Sequence, residues 1–181
     1  MHTVSTDAMK KSLDRLPLRA EDGGINVIVE SPRGSRLKIE FDPKAGAFRV
    51  ARPLPLGMSY PFDWGFIPGT RAADGDPVDA MILNDVATYP GVLVHCRPIG
   101  MVELMQSKSG GRPELNNRIV LLPEWRDAYL EEASDLPGEV RAQIENFFVS
   151  AAKFTDKQIR IKGWAPAKKA MRFIDAHRRK G

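Results

Sequence analysis
The chain has 181 residues, 43% of them hydrophobic and 28% charged, with 27 Lys or Arg against 23 Asp or Glu. No apolar run approaches a membrane span and the N-terminus lacks the basic-then-apolar layout of a signal peptide, so the expectation is one domain over residues 1–181, without a membrane partner, in the cytoplasm. The net charge of +4 is a property of the tail: residues 165–181 carry six Lys or Arg against one Asp, a net +5, which leaves the first 164 near −1.

In chain order, Ser5 to Leu16 reads as a short helix, capped by Ser5 or Thr6 and closed by Pro17, within an N-terminal extension over 1–24. After Gly23-Gly24 the pattern turns to strands. Ile25 to Glu30 is one, and Arg36 to Phe41 is a clearer one, with Leu37, Ile39 and Phe41 on one face and Arg36, Lys38 and Glu40 on the other. Phe48 to Arg52 follows a Pro43-Lys44-Ala45-Gly46 turn, so a hairpin would bring Lys38 and Arg52 together. Further strands are expected over Asp79 to Leu83, Val92 to Arg97, Ile99 to Met105, Arg118 to Leu122 and Gln158 to Lys162. The single Cys96 lies in an alternating apolar stretch and is read as a buried structural thiol.

Ser134-Asp135-Leu136-Pro137 signals a helix start, after which Val140, Ile144, Phe147, Phe148 and Ala151 fall on one stripe. Pro166 opens a basic C-terminal helix over 165–181, with Ala167, Ala170, Met171 and Ile174 inward. Its Lys168, Lys169, Arg172, Arg178, Arg179 and Lys180 are expected to form a solvated face, and a nucleic-acid partner is not expected. Many short strands with few helices make the fold class α+β, mainly β: a small barrel carrying peripheral helices.

The stretch Asp74-Gly75-Asp76-Pro77-Val78-Asp79 concentrates three acids ahead of an apolar run. Turn chemistry accounts for Asp74, Gly75 and Pro77. It does not account for Asp79, which opens a strand where acids are depleted, nor for three like charges held so close. A cation would relieve that repulsion. The spacing fails as an EF-hand, because an acid stands where the loop needs glycine; hard oxygen donors favour Mg²⁺ or Mn²⁺, which complete their shells with water and phosphate.

Together with this loop, the segments Ile25-x-Val27-x-Val29-Glu30-x-Pro32, Leu37-Lys38-Ile39-Glu40, Arg52, Tyr60-Pro61-x-x-x-Gly65-x-Ile67-Pro68 and Arg97-Pro98-Ile99-Gly100 resemble the soluble family I inorganic pyrophosphatases. The resemblance spans residues 25 to about 164 and takes in Asp135-Leu136-Pro137, Phe147-Phe148 and Gly163-Trp164. It implies an OB-like five-stranded closed barrel, Mg²⁺-dependent hydrolysis of pyrophosphate to two phosphates, and a homo-oligomer, a hexamer in many bacterial members. Carried over residue by residue, it makes Asp74 and Asp79 metal ligands, Asp76 the acceptor of the attacking water's proton, and Glu30 a ligand for a further metal. Lys38 and Arg52 would hold phosphate oxygens, with Glu40 and Tyr60 in support.

Several positions depart from the family. Gln106 and Asn116 stand where it has Asp, which leaves Asn116 as a neutral metal ligand. Arg118 stands for Lys as a substrate-binding cation, Trp64 for a Tyr, and Ala151-Ala152 for a late Tyr-Lys pair, unless Lys153 takes the amine's place one position on. Two anionic ligands thus become neutral amides of nearly the same shape. Three readings follow: an active though altered pyrophosphatase; a hydrolase of another phosphoanhydride, or one using fewer metals; and a noncatalytic pseudoenzyme that binds phosphate or an anionic partner.

Overall fold
The computed structural model describes residues 12–126 and 130–179 of the chain. Its strands are β1 (Ile25–Ser31), β2 (Leu37–Asp42), β3 (Ala47–Pro53), β4 (Asp63–Ile67), β5 (Val78–Ile82), β6 (Leu93–Lys108), β7 (Glu114–Leu115), β8 (Arg118–Pro123) and β9 (Lys157–Pro166). Helix α1 (Gly138–Ala151) precedes β9, and α2 (Ala167–Ala176) follows it.

Strand pairing runs β1–β4–β5–β8–β6 and returns from β6 to β1, a five-stranded ring antiparallel everywhere except at β5–β8. This is the OB-like barrel the resemblance implies. The 16-residue β6 outruns the ring, and its far end pairs with β7 and β9. Strands β2 and β3 form a separate hairpin beside the ring.

Alternate residues build two cores. Val27, Val29, Ile67, Val78, Ala80, Ile82, Val94, Met101, Ile119 and Leu121 come from all five ring strands, so they fill the barrel, and Ala170 and Ile174 of α2 pack against them. Met81, Leu83, Val120 and Leu122 point the other way, onto Ile144, Phe147 and Phe148 of α1. Every residue of β8 is buried, and each large apolar side chain placed so contributes about 1.5–3 kcal/mol. The α1 stripe and buried Cys96 are as the sequence suggests.

Other expectations are corrected. Of the N-terminal helix, residues 5–11 lie outside the described set, and within the rest only a 3₁₀ turn, Leu13–Arg15, forms. The two strands expected on either side of Pro98 are one, because the register shifts between Pro98 and Gly100 and accommodates a residue with no N–H to donate. Leu37 is 40% exposed, because only the inner part of that face reaches the barrel: Ile39 is bonded through its backbone to Ser31 Oγ, and the Phe41 ring stacks on Phe66. The last helix ends at Ala176; Arg178 and Arg179 lie beyond it, and Arg179 is half-buried on Asp14 at 2.9 Å. Lys180 and Gly181 are outside the described residues. No helix among the described residues is long and apolar enough to cross a membrane.

Candidate active site
The acidic loop joins β4 to β5. Thr70 ties its base by donating from Oγ1 to the Ile67 carbonyl (2.6 Å) and accepting from the Val78 N–H (2.9 Å). Gly75 has φ +93°, a conformation that explains a glycine between two acids, and the Asp76 N–H donates back to Asp74 Oδ1 at 3.2 Å. Turn chemistry therefore fixes Asp74 and Asp76 at the rim. Asp79 instead sits one residue inside β5, on the face opposite the barrel core.

The loop overhangs a cleft of about 750 Å³ that is lined by every candidate site residue: Glu30, Lys38, Glu40, Arg52, Tyr60, Asp74, Asp76, Asp79, Gln106, Asn116 and Arg118. The hairpin register sets Lys38 opposite Arg52, as expected. Lys38 Nζ donates to Glu40 Oε1 at 2.5 Å, and Arg49 reaches Glu40 Oε2 from β3 at 3.0 Å. Burial would raise the Glu40 carboxyl, but its Lys38 and Arg49 partners hold it below the usual range. Arg52 crosses to α1 and donates from Nη2 to the Ala151 carbonyl at 2.7 Å, which fixes the hairpin against the end of that helix.

Glu30 accepts the Phe41 N–H at 2.7 Å, yet desolvation, reinforced by Glu40 and Asp76, pushes its carboxyl up to about 7. Asp76 is raised as well, by desolvation and then by Asp74 and Glu40. Glu30 and Asp76 have no ion-pair partner among the described residues, and their oxygens suit a hard divalent ion. Tyr60 is buried, with its hydroxyl pushed up to about 12 by desolvation, so it stays protonated and able to donate.

The opposite wall differs. Arg118, at the start of β8, forms an ion pair with Asp79 Oδ2, donates from Nη1 to Asn116 Oδ1 at 2.9 Å and reaches Gln106 Oε1 from Nη2 at 3.5 Å. Its guanidinium lies over the Trp64 ring, 5.3 Å from the centroid. Burial lowers its pKa to about 10, which leaves it charged at neutral pH. On this side the oxygens already have a cation.

Ala151 and Ala152 line the cleft, whereas Lys153 does not. Lys157 does, an amine that the sequence reading left outside the site. It is partly buried, and desolvation, then Lys38 and Arg118, lower its pKa. Its signal was the β9 alternation, which puts Lys157 on the same face as Ile159 and Ile161. Among the described residues, the His and carboxylate group with three ligand atoms within 4.8 Å of one another is Asp22, His95 and Glu124, all exposed and none of them lining the cleft. The cleft acids are spread more widely than that.

Carboxylates facing lysine and arginine across one cleft, beside a five-stranded barrel, are the equipment of a hydrolase acting on phosphoanhydrides. The sequence pattern of the family described as inorganic pyrophosphatase matches residues 27–180. An inorganic pyrophosphatase of Synechocystis sp. is 40% identical over 154 residues, covering 84% of this chain and 88% of that protein. One from Thermus thermophilus is 34% identical over 155 residues, covering 84% and 87%. A crystal structure of the inorganic pyrophosphatase from Thermus thermophilus superposes with a TM-score of 0.84 over 92% of this chain and 96% of that one, at 30% identity. The Helicobacter pylori enzyme follows at 0.80, 28% identity, and 90% and 95% coverage. The chain belongs to the inorganic pyrophosphatase family.

Proposed function
We propose that this protein hydrolyses inorganic pyrophosphate to two phosphates, with Mg²⁺ as the working ion and Mn²⁺ as an alternative. The observation that carries the reading is the cleft itself, where Asp74, Asp76, Asp79 and Glu30 face Lys38, Arg52, Arg118 and Lys157. Asp74, Asp79 and Glu30 are the carboxylates that would hold metal, with Asn116 offering the second lone pair of an amide oxygen that Arg118 already engages. Bound divalent ions would acidify the attacking water and neutralise charge on the departing phosphate.

The side chains divide the remaining work. Asp76, raised but at the solvent-exposed rim, is the group that accepts the water's proton. Lys38 and Arg52, level on adjacent strands, bind the oxygens of one phosphoryl group, and Arg118 and Lys157 add positive charge from the opposite wall. Tyr60 donates a neutral hydrogen bond, because its proton stays on at any working pH. Glu40 fixes Lys38 through their 2.5 Å contact. A cytoplasmic location, a single domain and a homo-oligomer, six-membered by resemblance to bacterial relatives, complete this reading.

Substrate comparison tests it. Pyrophosphate should be cleaved at least tenfold faster than tripolyphosphate or a nucleoside triphosphate at equal Mg²⁺. The reverse order would move the function to another phosphoanhydride.

A further inference from the structure
Four residues distinguish one wall of this cleft, and all four meet at a single group. Gln106 and Asn116 present amide oxygens to the Arg118 guanidinium, Trp64 lies beneath it, and Arg118 itself replaces the shorter ammonium of the family pattern. The fourth contact is Asp79 Oδ2. We propose that the Arg118 guanidinium occupies the place of one divalent cation between Asp79, Asn116 and Gln106, so that this chain carries one of its active-site charges covalently and binds fewer metal ions. The inference rests on reading the cleft as a metal-dependent pyrophosphatase site.

Charge balance supports it. Asp79 and two neutral amides offer a single negative charge, which one guanidinium matches. Acids at positions 106 and 116 would have made three, enough to need a divalent ion. A divalent ion added beside Arg118 would leave surplus positive charge in a place where the arginine side chain is only 9% exposed.

Geometry supports it too. A guanidinium is a planar fork of donors, so it can serve acceptors on several elements while its face stacks on an aromatic ring; an ammonium does neither as well. Here the acceptors come from β5, β6 and the segment before β8, and the stacking ring from β4. An oxygen engaged by an arginine N–H cannot coordinate a metal with the same lone pair. The carboxylates left to a divalent ion are those of Glu30 and Asp74, together with the second oxygen of Asp79.

Mn²⁺ binding without substrate tests this, by calorimetry for stoichiometry and by electron paramagnetic resonance for ion pairs. Arg118→Gln removes the charge, and Arg118→Met keeps a long stem over Trp64; thermal melts confirm that each is folded. Both should bind one more Mn²⁺ per chain than the parent, and millimolar guanidinium should displace that ion from the variants but not from the parent. Lys157→Met removes a neighbouring charge that sits on none of these oxygens, so it should tighten existing binding without adding an ion. If the Arg118 variants only tighten binding as Lys157→Met does, with no added ion, the inference is overturned.

Should neither Arg118 variant fold, nuclear magnetic resonance of the parent's ¹⁵N-labelled guanidinium groups decides. Arg118 N–H signals unchanged at saturating Mg²⁺ support the inference, and their loss or shift to solvent-exposed values contradicts it. Because metal counts are read without substrate, an inactive parent with the expected counts refutes the pyrophosphatase activity alone. An active parent whose variants gain no ion refutes this inference alone.

Discussion

Asp79 and Arg118 stand side by side on neighbouring parallel strands, where the register sets Ala80 level with Ile119, and their side chains close into an ion pair on the face away from the barrel core. The acid that turn chemistry could not explain thus belongs to the same contact as the arginine that departs from the family. Removing Asp79 leaves a nearly buried guanidinium without its only charged partner among the described residues.

Asp79→Ala should therefore destabilise the fold as well as the site. Stranding one member of a buried pair costs about 3 kcal/mol, or roughly 6–12 °C in melting temperature for a chain of this size. Asp79→Asn, which keeps the shape, should cost less stability but lose nearly as much hydrolysis. An unchanged melting temperature in the Ala variant, read by circular dichroism, would remove the pair from the account.

Asp76 is assigned the proton. Asp76→Asn should lower kcat by about 10²–10⁴, the usual range for a lost general base, while KM and Mn²⁺ affinity change little. A variant with wild-type kcat across pH 6–9 would place the proton acceptor elsewhere.

Glu30 makes the metal-free protein sensitive to pH in a definite sense. Its carboxyl is raised from an ordinary 4.5 to about 7, so the folded state binds the proton more tightly than the unfolded chain. That contribution is fully present below pH 4.5 and is lost as pH rises through 7, by about 3 kcal/mol in all. The stability difference between the parent and Glu30→Gln should fall across that window in metal-free buffer. Divalent binding needs the ionised form, so metal affinity should rise over the same interval. Parallel stability curves for parent and variant would show that Glu30 ionises normally.

Lys157 is the cation that stands in the cleft where the late amine of the family pattern is absent. Lys157→Met should weaken inhibition by the product, inorganic phosphate, by about 10- to 100-fold, the equivalent of one charged hydrogen bond. Lys153→Met, one residue outside the cleft lining, should leave it unchanged. Equal effects from the two substitutions would return Lys157 to the role of a strand-edge surface residue.

Much of this architecture was legible where side chains alternate or fall on a helical stripe. β2 and α1 were found this way, β5 came from its apolar run after the acidic loop, and the residues singled out along the ordered motifs line one cleft. β4 was not found, because it is buried on both faces and so shows no alternation. Its Gly65 is there because a Cβ would collide with the Ile28 carbonyl of the paired strand, a requirement only the folded sheet reveals. Asp63, fully buried and bonded to Asn84, Thr88 and the Arg33 N–H, fixes the neighbouring loops through contacts 21 to 30 residues away in sequence. Arg118 lines the cleft, but the sequence reading took it as a phosphate ligand alone. Its pairing with Asp79 depends on a parallel register that periodicity cannot supply.

Phosphate release from pyrophosphate by the purified protein, with and without Mg²⁺, tests the central claim most directly. The account predicts two phosphates per pyrophosphate, release that depends on Mg²⁺ and is restored by it after chelation, and loss of release in Asp76→Asn. A folded protein that releases no phosphate at any Mg²⁺ or Mn²⁺ concentration would contradict it and leave the cleft a binding site without catalysis.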